Sequence, residues 1–289
     1  MNDDGTVLLE KDGAVARLVL NRPEKGNAVP LATLDLLVDL LHVAEDDDDV
    51  KVIVLKGRGA SFCTGDDFDD IAVAYGHVAA RPGERPPRIT QRTRLAIDRR
   101  LGRTVSAFQN SAKPVIAQVH GHCVGMGMFL VEVADLALCA HSTRFSHAEQ
   151  RLGLAGNTFN LATLIVLYGP KKARELLLFG DPFDGPEAER IGLVNRSVPD
   201  DELEATVEAW AAKVARNAKD ALVMGKAAHA MALASLGMSS YIHAGMVGHA
   251  LGTNIRFEPD DFNFFRARRD GGTKAAFQGR DGHHGTPPE

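Results

Sequence analysis

The sequence predicts an α/β protein, a buried sheet wrapped by helices and followed by a helical extension. Three observations carry this reading. Apolar, β-prone runs at 7–10, 15–20, 50–55, 115–119 and 135–140 alternate with segments of helical spacing, which is the alternation of right-handed β-α-β crossovers. From residue 160 onward the pattern is almost wholly helical. The composition is globular: of 289 residues 45 % are hydrophobic, enough to build a sizeable core in one large unit or a unit with an appendage.

The opening reads as a hairpin, because Lys11-Asp12-Gly13 carries an Asp-Gly turn signal between two β-prone runs. Leu31, Leu34, Leu37, Val38 and Leu41 then space as one helical face, and 50–55 returns as a strand. Residues 57–67 form a turn-rich loop. Helical character from Phe68 stops at Arg81-Pro82-Gly83-Glu84-Arg85-Pro86-Pro87, which reads as an exposed, mobile insert. A helix over 89–109 precedes a strand at 115–119, introduced by Pro114, and a glycine turn at 121–127 runs into a helix at 128–133 and a strand at 135–140. Helices follow at 171–179, 186–191, 201–216 and 220–234. The expected division is a core over 1–200, a helical oligomerisation region over 201–280 and a frayed tail over 281–289.

A net charge of −5 supplies no global field for nucleic acid or an anionic membrane. The longest nearly apolar stretch, 123–131, is too short to cross a bilayer, and the acidic N-terminal residues lack the order of a signal peptide. A cytoplasmic protein is expected. Cys63, Cys123 and Cys139 cannot all pair and follow no metal-ligand spacing, so they read as reduced structural thiols.

Two glycine-rich loops, 57–67 and 121–127, each lie between a strand and a helix, where free backbone N–H groups accumulate. They are either tight turns or, face to face, a pair of donors for one oxygen. Glu149 follows a strand among apolar neighbours: it is either a desolvated proton-shuttling base or a surface carboxylate paired with Arg151 or Arg144. His147 reads as a satisfied polar residue, with a role as base the alternative, since no acidic orienter stands beside it. Glu132 interrupts an apolar helix and is a minor candidate. No Gly-x-Ser-x-Gly and no Gly-Lys-Ser/Thr occurs at these loops, which argues against serine-hydrolase and nucleoside-triphosphate readings.

Taken in order, Asn21-Arg-Pro-Glu-Lys-Gly-Asn-Ala28, Ser61-Phe-Cys-Thr-Gly-Asp-Asp67, Lys113-Pro-Val-Ile-Ala-Gln-Val-His-Gly121, Phe145-x-x-x-Glu149-x-x-x-Gly153 and Gly180-Asp-Pro-Phe-Asp-Gly-Pro-Glu-Ala-Glu-Arg-Ile-Gly-Leu-Val194 resemble the enoyl-CoA hydratase/isomerase (crotonase) superfamily. The resemblance implies a spiral of β-β-α units with C-terminal helices that pack in trimers or dimers of trimers. It implies an acyl-CoA thioester as ligand and no cofactor or metal, coenzyme A being part of the substrate. Carried over by motif, the oxyanion N–H groups belong to Asp66 and Met126, after Gly65 and Gly125. Lys25 and Ala28 fall where the family contacts the coenzyme, and Asp66 or Phe68 falls beside the pocket, with the insert at about 76–94 in its wall.

The departures shape the expected chemistry. Hydratases of this family hold one water between two glutamates; Phe129 replaces the first and Glu149 retains the second. Gly125-Met126-Gly127 replaces three glycines, which suggests a methionine side chain beside the acyl group. A lone Glu149 facing two N–H donors suits a 1,3 double-bond shift, which needs no bound water. The alternatives are hydration, with Glu132 or His147 as second polar group; hydrolytic carbon–carbon cleavage of a β-keto acyl-CoA; and a non-catalytic acyl-CoA binder, suggested by Phe129 and Met126.

Overall fold

The computed structural model describes residues 5–79, 84–154, 159–252, 255 and 257–285. β1 (Val7–Asp12) and β2 (Val15–Leu20) form the expected hairpin, with Val7 opposite Leu20. α1 (Leu31–Asp46) leads to β3 (Val52–Gly57), parallel to β2. α2 (Phe68–Ala74) and α3 (Gln91–Gln109) precede β4 (Val115–Val119), β5 (His122–Val124), α4 (Met126–Val133), β6 (Leu136–Ala140) and β7 (Arg144–Ser146). Next come α5 (Leu161–Phe179), broken at Gly169, α6 (Gly185–Ile191) and β8 (Arg196–Val198). The chain continues through α7 (Leu203–Ala215), α8 (Lys219–Ser235), α9 (Met238–Gly252) and α10 (Phe264–His283), the last broken at Gly272.

The main sheet has the order β1-β2-β3-β4-β6-β8 and is parallel beyond the hairpin. Its inner strands read VIVLKG, VIAQV and LALCA, near-continuous apolar runs, because both faces are covered. On one face Leu34, Leu37 and Leu41 of α1 and Leu101 and Val105 of α3 share a core with Ile53, Leu55, Val115 and Ala117. On the other, Val207 and Ala211 of α7 pack with Val52, Val54, Ile116 and Leu138. Each inner strand feeds a short second-layer segment: β3 leads to Cys63, bridged to Cys123; β4 leads to β5; β6 leads to β7, parallel to β5. The result is a spiral of β-β-α turns with a helical C-terminal part.

Three differences from the sequence reading have a physical origin. β5, β7 and β8 have three residues each, too few for an alternation to register, and they exist through partners distant in sequence. α4 starts at Met126 and not at 128, so the end of the glycine turn is the first turn of the helix. Residues 281–283, expected to fray, continue α10, and Asp281 receives Arg280 at 2.6 Å and Arg151 at 3.4 Å; 286–289 lie outside the described residues, as do 80–83 of the insert. Of the rest of the insert, 85–90 extend ahead of α3, and Gly76 turns tightly against Pro87. All three cysteines are buried and free.

One loop registers the second layer. Asn27 has φ +57° and is buried; its Oδ1 accepts from the Arg22 N–H (2.8 Å), and its Nδ2 donates to the carbonyls of Arg58 (2.9 Å) and Ser61 (2.7 Å). The side chain thereby ties the segment after β2 to the loop after β3. Asn27→Ala leaves one buried and two half-buried backbone groups without these partners, in a backbone conformation alanine disfavours, and is expected to cost about 3 kcal/mol in chemical denaturation.

Candidate active site

The loop after β3 is sewn to the turn after β4: Phe62 and Cys63 donate to the carbonyls of His120 (2.8 Å) and His122 (3.0 Å), and Val124 donates to Cys63 (2.9 Å). Val29 donates to the Gly65 carbonyl (2.9 Å) and accepts from the Asp67 N–H (3.1 Å). In a parallel bridge of this kind the intervening N–H, that of Asp66, points away from Val29. Opposite stands the N-terminus of α4, where the Met126 N–H has no intrahelical acceptor. Neither N–H finds an acceptor among the described residues.

The two loops touch through glycines. A Cβ on Gly65 (φ +96°) would lie 3.1 Å from the Val124 carbonyl oxygen, and one on Gly125 (φ +52°) would lie 3.6 Å from the Gly65 Cα and 3.9 Å from Glu149 Oε1. Glycine is required at both positions by φ, and side chains there would intrude where the loops meet. Two residues on, a Cβ at Gly127 would meet the Cys63 carbonyl at 2.8 Å, so this glycine seats α4 against the loop.

Beside the loops is a cavity of about 90 Å³. Gly65, Gly125, Phe68, Phe129, Asp66 and Glu149 all line it, so six of the residues singled out from sequence converge. Glu149 ends the β7 connection as the residue before a 3-10 turn, Gln150–Leu152. Its Oε2 is sealed from solvent with no hydrogen-bond partner among the described residues, and the surface-pair alternative fails, since Arg151 turns to Asp281 and Asp181.

His147 and Glu132 do not line the cavity. Both side chains are fully buried behind Glu149: His147 Nε2 meets Glu132 Oε1 at 2.7 Å, and His147 Nδ1 lies 3.9 Å from Glu149 Oε2. Asn160 and Tyr168 also donate to Glu132. The acidic orienter that the local sequence lacks is thus supplied by α4. Burial pushes the His147 pKa down, but the Glu132 carboxylate and then Glu149 outweigh it, and the net direction is up. Phe129 lies with its ring 6.1 Å from that of His147 and 29° from parallel, forming an apolar wall where a second glutamate was expected to be missed.

One placement corrects the sequence reading. The Met126 side chain is wholly buried in the main core and does not line the acyl cavity; only its backbone faces the loops. Lys25 and Ala28, expected against the coenzyme, are not among the residues that line the acyl cavity. The Lys25 carbonyl accepts from Thr64 Oγ1 at 3.4 Å, and the Ala28 carbonyl accepts from Arg22. Asp66 and Phe68, the two candidates for the pocket lining, both line the cavity, and Asp66 brings its carboxyl there as well as its N–H. Its Oδ1 is sealed and unpartnered among the described residues, and desolvation, opposed by His249 and reinforced by Glu149, pushes its pKa up to about 7. Tyr75, His77, Phe159, His249 and Phe265 complete the walls. His77 lies in the insert expected in the wall; Tyr75 at the end of α2, Phe159 ahead of α5, and His249 and Phe265 of α9 and α10 carry no local signal, because distant segments bring them together.

A family model described as Enoyl-CoA hydratase/isomerase matches residues 10–249. The chain belongs to the enoyl-CoA hydratase/isomerase family. Mevalonyl-coenzyme A hydratase of Aspergillus fumigatus is 32 % identical over 205 residues, 71 % of this chain and 70 % of that protein. The peroxisomal Delta(3,5)-Delta(2,4)-dienoyl-CoA isomerase of Arabidopsis thaliana is 31 % identical over 185 residues, 64 % of this chain and 66 % of that one. An enoyl-CoA hydratase/isomerase from Xanthobacter autotrophicus Py2 superposes with a TM-score of 0.85 at 28 % identity, over 98 % of this chain and 99 % of the other. The spiral is therefore the crotonase fold, and the family contains both hydratases and isomerases.

The Asp66 carboxyl makes this enoyl-CoA hydratase/isomerase family member sensitive to pH. A raised native pKa means that the native state holds the proton more tightly than the unfolded chain; the resulting stabilisation is full below about pH 4 and is lost as pH rises through about 7. Denaturation of wild type and Asp66→Asn across pH 4–8 is expected to show the variant gaining relative stability toward alkaline pH, by up to about 4 kcal/mol.

Proposed function

We propose that this chain shifts a double bond along an enoyl-CoA thioester, with Glu149 as the one acid–base group and the N–H groups of Asp66 and Met126 as donors to the thioester oxygen. The observation that carries this is the sealed, unpartnered Glu149 oxygen in an apolar cavity that lies against two acceptor-free N–H groups. The carboxylate takes a proton from C2; the C2–H electrons move into the C1–C2 bond and onto the oxygen, where the two donors hold the charge. The proton returns at C4, so the product has the mass of the substrate. Phe129 excludes water from the place where a second carboxylate would hold it.

An adjoining cavity of about 480 Å³ shares Thr64, Phe68, Val124, Ala148 and Leu152 with the first. Arg144, Arg151, Lys274 and Arg280 also line it, together with Asp281, which pairs with Arg151 and Arg280; the excess of positive charge suits the phosphates of coenzyme A.

A second reading, hydration, is favoured by the Asp66 carboxyl. It faces the same cavity as Glu149 and restores a pair of carboxyl groups at a position other than that of the missing glutamate. Incubation with 2-enoyl- and 3-enoyl-CoA thioesters in ¹⁸O-labelled water separates the two: an isomer forms without gain of mass, whereas hydration adds one labelled water. Glu149→Gln is expected to lower kcat about 10²–10⁴-fold, and undiminished activity would refute Glu149 as the base. Gly65→Ala, which forces a side chain between the loops, is expected to lower kcat about 10²-fold with correct folding retained by circular dichroism.

A further inference from the structure

Three elements place polar side chains at one wall of the acyl cavity: Tyr75 at the end of α2, Asp98 in α3 and His249 in α9. Asp98 is wholly buried. Its Oδ1 accepts from the Tyr75 hydroxyl and from His249 Nδ1, the latter at 2.7 Å, while Oδ2 has no partner among the described residues. Tyr75 and His249 line the cavity; Asp98 stands behind them.

A buried carboxylate with one oxygen unpartnered costs more than an apolar side chain of the same size, so this cluster is no solution to the packing of a hydrocarbon wall. Its geometry defines one atom. A carboxylate only accepts, so His249 Nδ1 carries a proton and donates it to Asp98, which leaves Nε2 as the ring atom that can meet a ligand. Nε2 has no hydrogen-bond partner among the described residues. The ring is held by Phe159, whose centroid is 4.7 Å away, and by the edge of Tyr75 at 5.9 Å. Ile71, Leu101, Leu154, Phe159 and Phe265 also line the cavity, with His77 stacked on Phe265. A polar atom fixed among such side chains is complementary to a hydroxyl group on the ligand.

We infer that His249, oriented by Asp98 and Tyr75, is a specificity-determining residue whose Nε2 hydrogen-bonds a hydroxyl group on the acyl chain, so that the cavity is built for a short hydroxylated acyl-CoA and not for a plain hydrocarbon one. This rests on the acyl-CoA reading of the site. The Asp66 carboxyl, whose pKa burial pushes up to about 7, lines the same cavity. A site built around such a bond rejects the analogue that lacks the hydroxyl, because its own polar group is then left unpaired.

The test needs no turnover. Calorimetric titration of the full chain with hexanoyl-CoA and with its 4-, 5- and 6-hydroxy derivatives is expected to show at least one hydroxylated thioester binding tenfold or more tightly than hexanoyl-CoA. In His249→Phe, which keeps a ring against Phe159, the preference for the hydroxylated thioester over hexanoyl-CoA is expected to fall below threefold; His249→Ala serves if the Phe variant does not fold. Binding of hexanoyl-CoA as tight as that of every hydroxylated derivative, or a preference that survives loss of the imidazole, overturns the inference while leaving the acyl-CoA reading intact. Failure of all four thioesters to bind removes both.

Discussion

The site depends on the close approach of two backbone segments that carry no side chains where they meet. Gly65 and Gly125 are held in left-handed conformations, and a Cβ on Gly125 would sit 3.6 Å from the Gly65 Cα. That contact brings the Asp66 N–H, turned outward by the Val29 bridge, beside the N-terminus of α4. The rest of the spiral maintains it: β3 and β4 carry the two loops, Asn27 ties in the segment bearing Val29, and Gly127 lets α4 lie on Cys63. Donors fixed by main-chain hydrogen bonds need no reorganisation when charge develops on a bound oxygen, which is why such a site is built from backbone.

Around this frame the carboxyl groups are graded by their partners. Glu132 is fully buried and satisfied by His147, Asn160 and Tyr168. Glu149 faces the cavity with one sealed oxygen and the His147 ring behind it. Asp66 shares the cavity with Glu149, and burial together with that neighbour favours its protonated form. Two acids in one apolar space do not both ionise readily, so one can hold a proton while the other accepts one. The helices after residue 200 are part of this arrangement as well as a cover for it: α9 supplies His249, and Phe265 of α10 stacks on His77 at 4.2 Å. Exposed Met224, Met231 and Leu236 show that α8 and its C-terminal end also leave apolar surface uncovered in the single chain.

Much of the fold was legible because its signals are local. The hairpin is written in an Asp-Gly turn between apolar runs, the inner strands in short apolar stretches, and α1 in the spacing of its leucines. Both glycine loops and Glu149 were legible for the same reason, each being marked by its immediate neighbours. The three-residue strands were not, since β5 is hidden inside a glycine turn and becomes a strand only through β7. Met126 was misread because helical phase decides where a side chain points, and that phase was set by a helix start two residues earlier than the pattern suggested.

By itself, then, the sequence determined the order of strands and helices, the two glycine loops and the retained glutamate, all of which follow from backbone preferences and apolar spacing over a few residues. Only the tertiary structure decided that His147 has an acidic partner 15 residues away, that the Asp66 carboxyl enters the cavity, and that Asp98 meets a histidine 151 residues distant. The physical reason is that hydrogen bonding and desolvation act through space. They depend on which surfaces the packed sheet and helices bring together, and no window of sequence contains both partners.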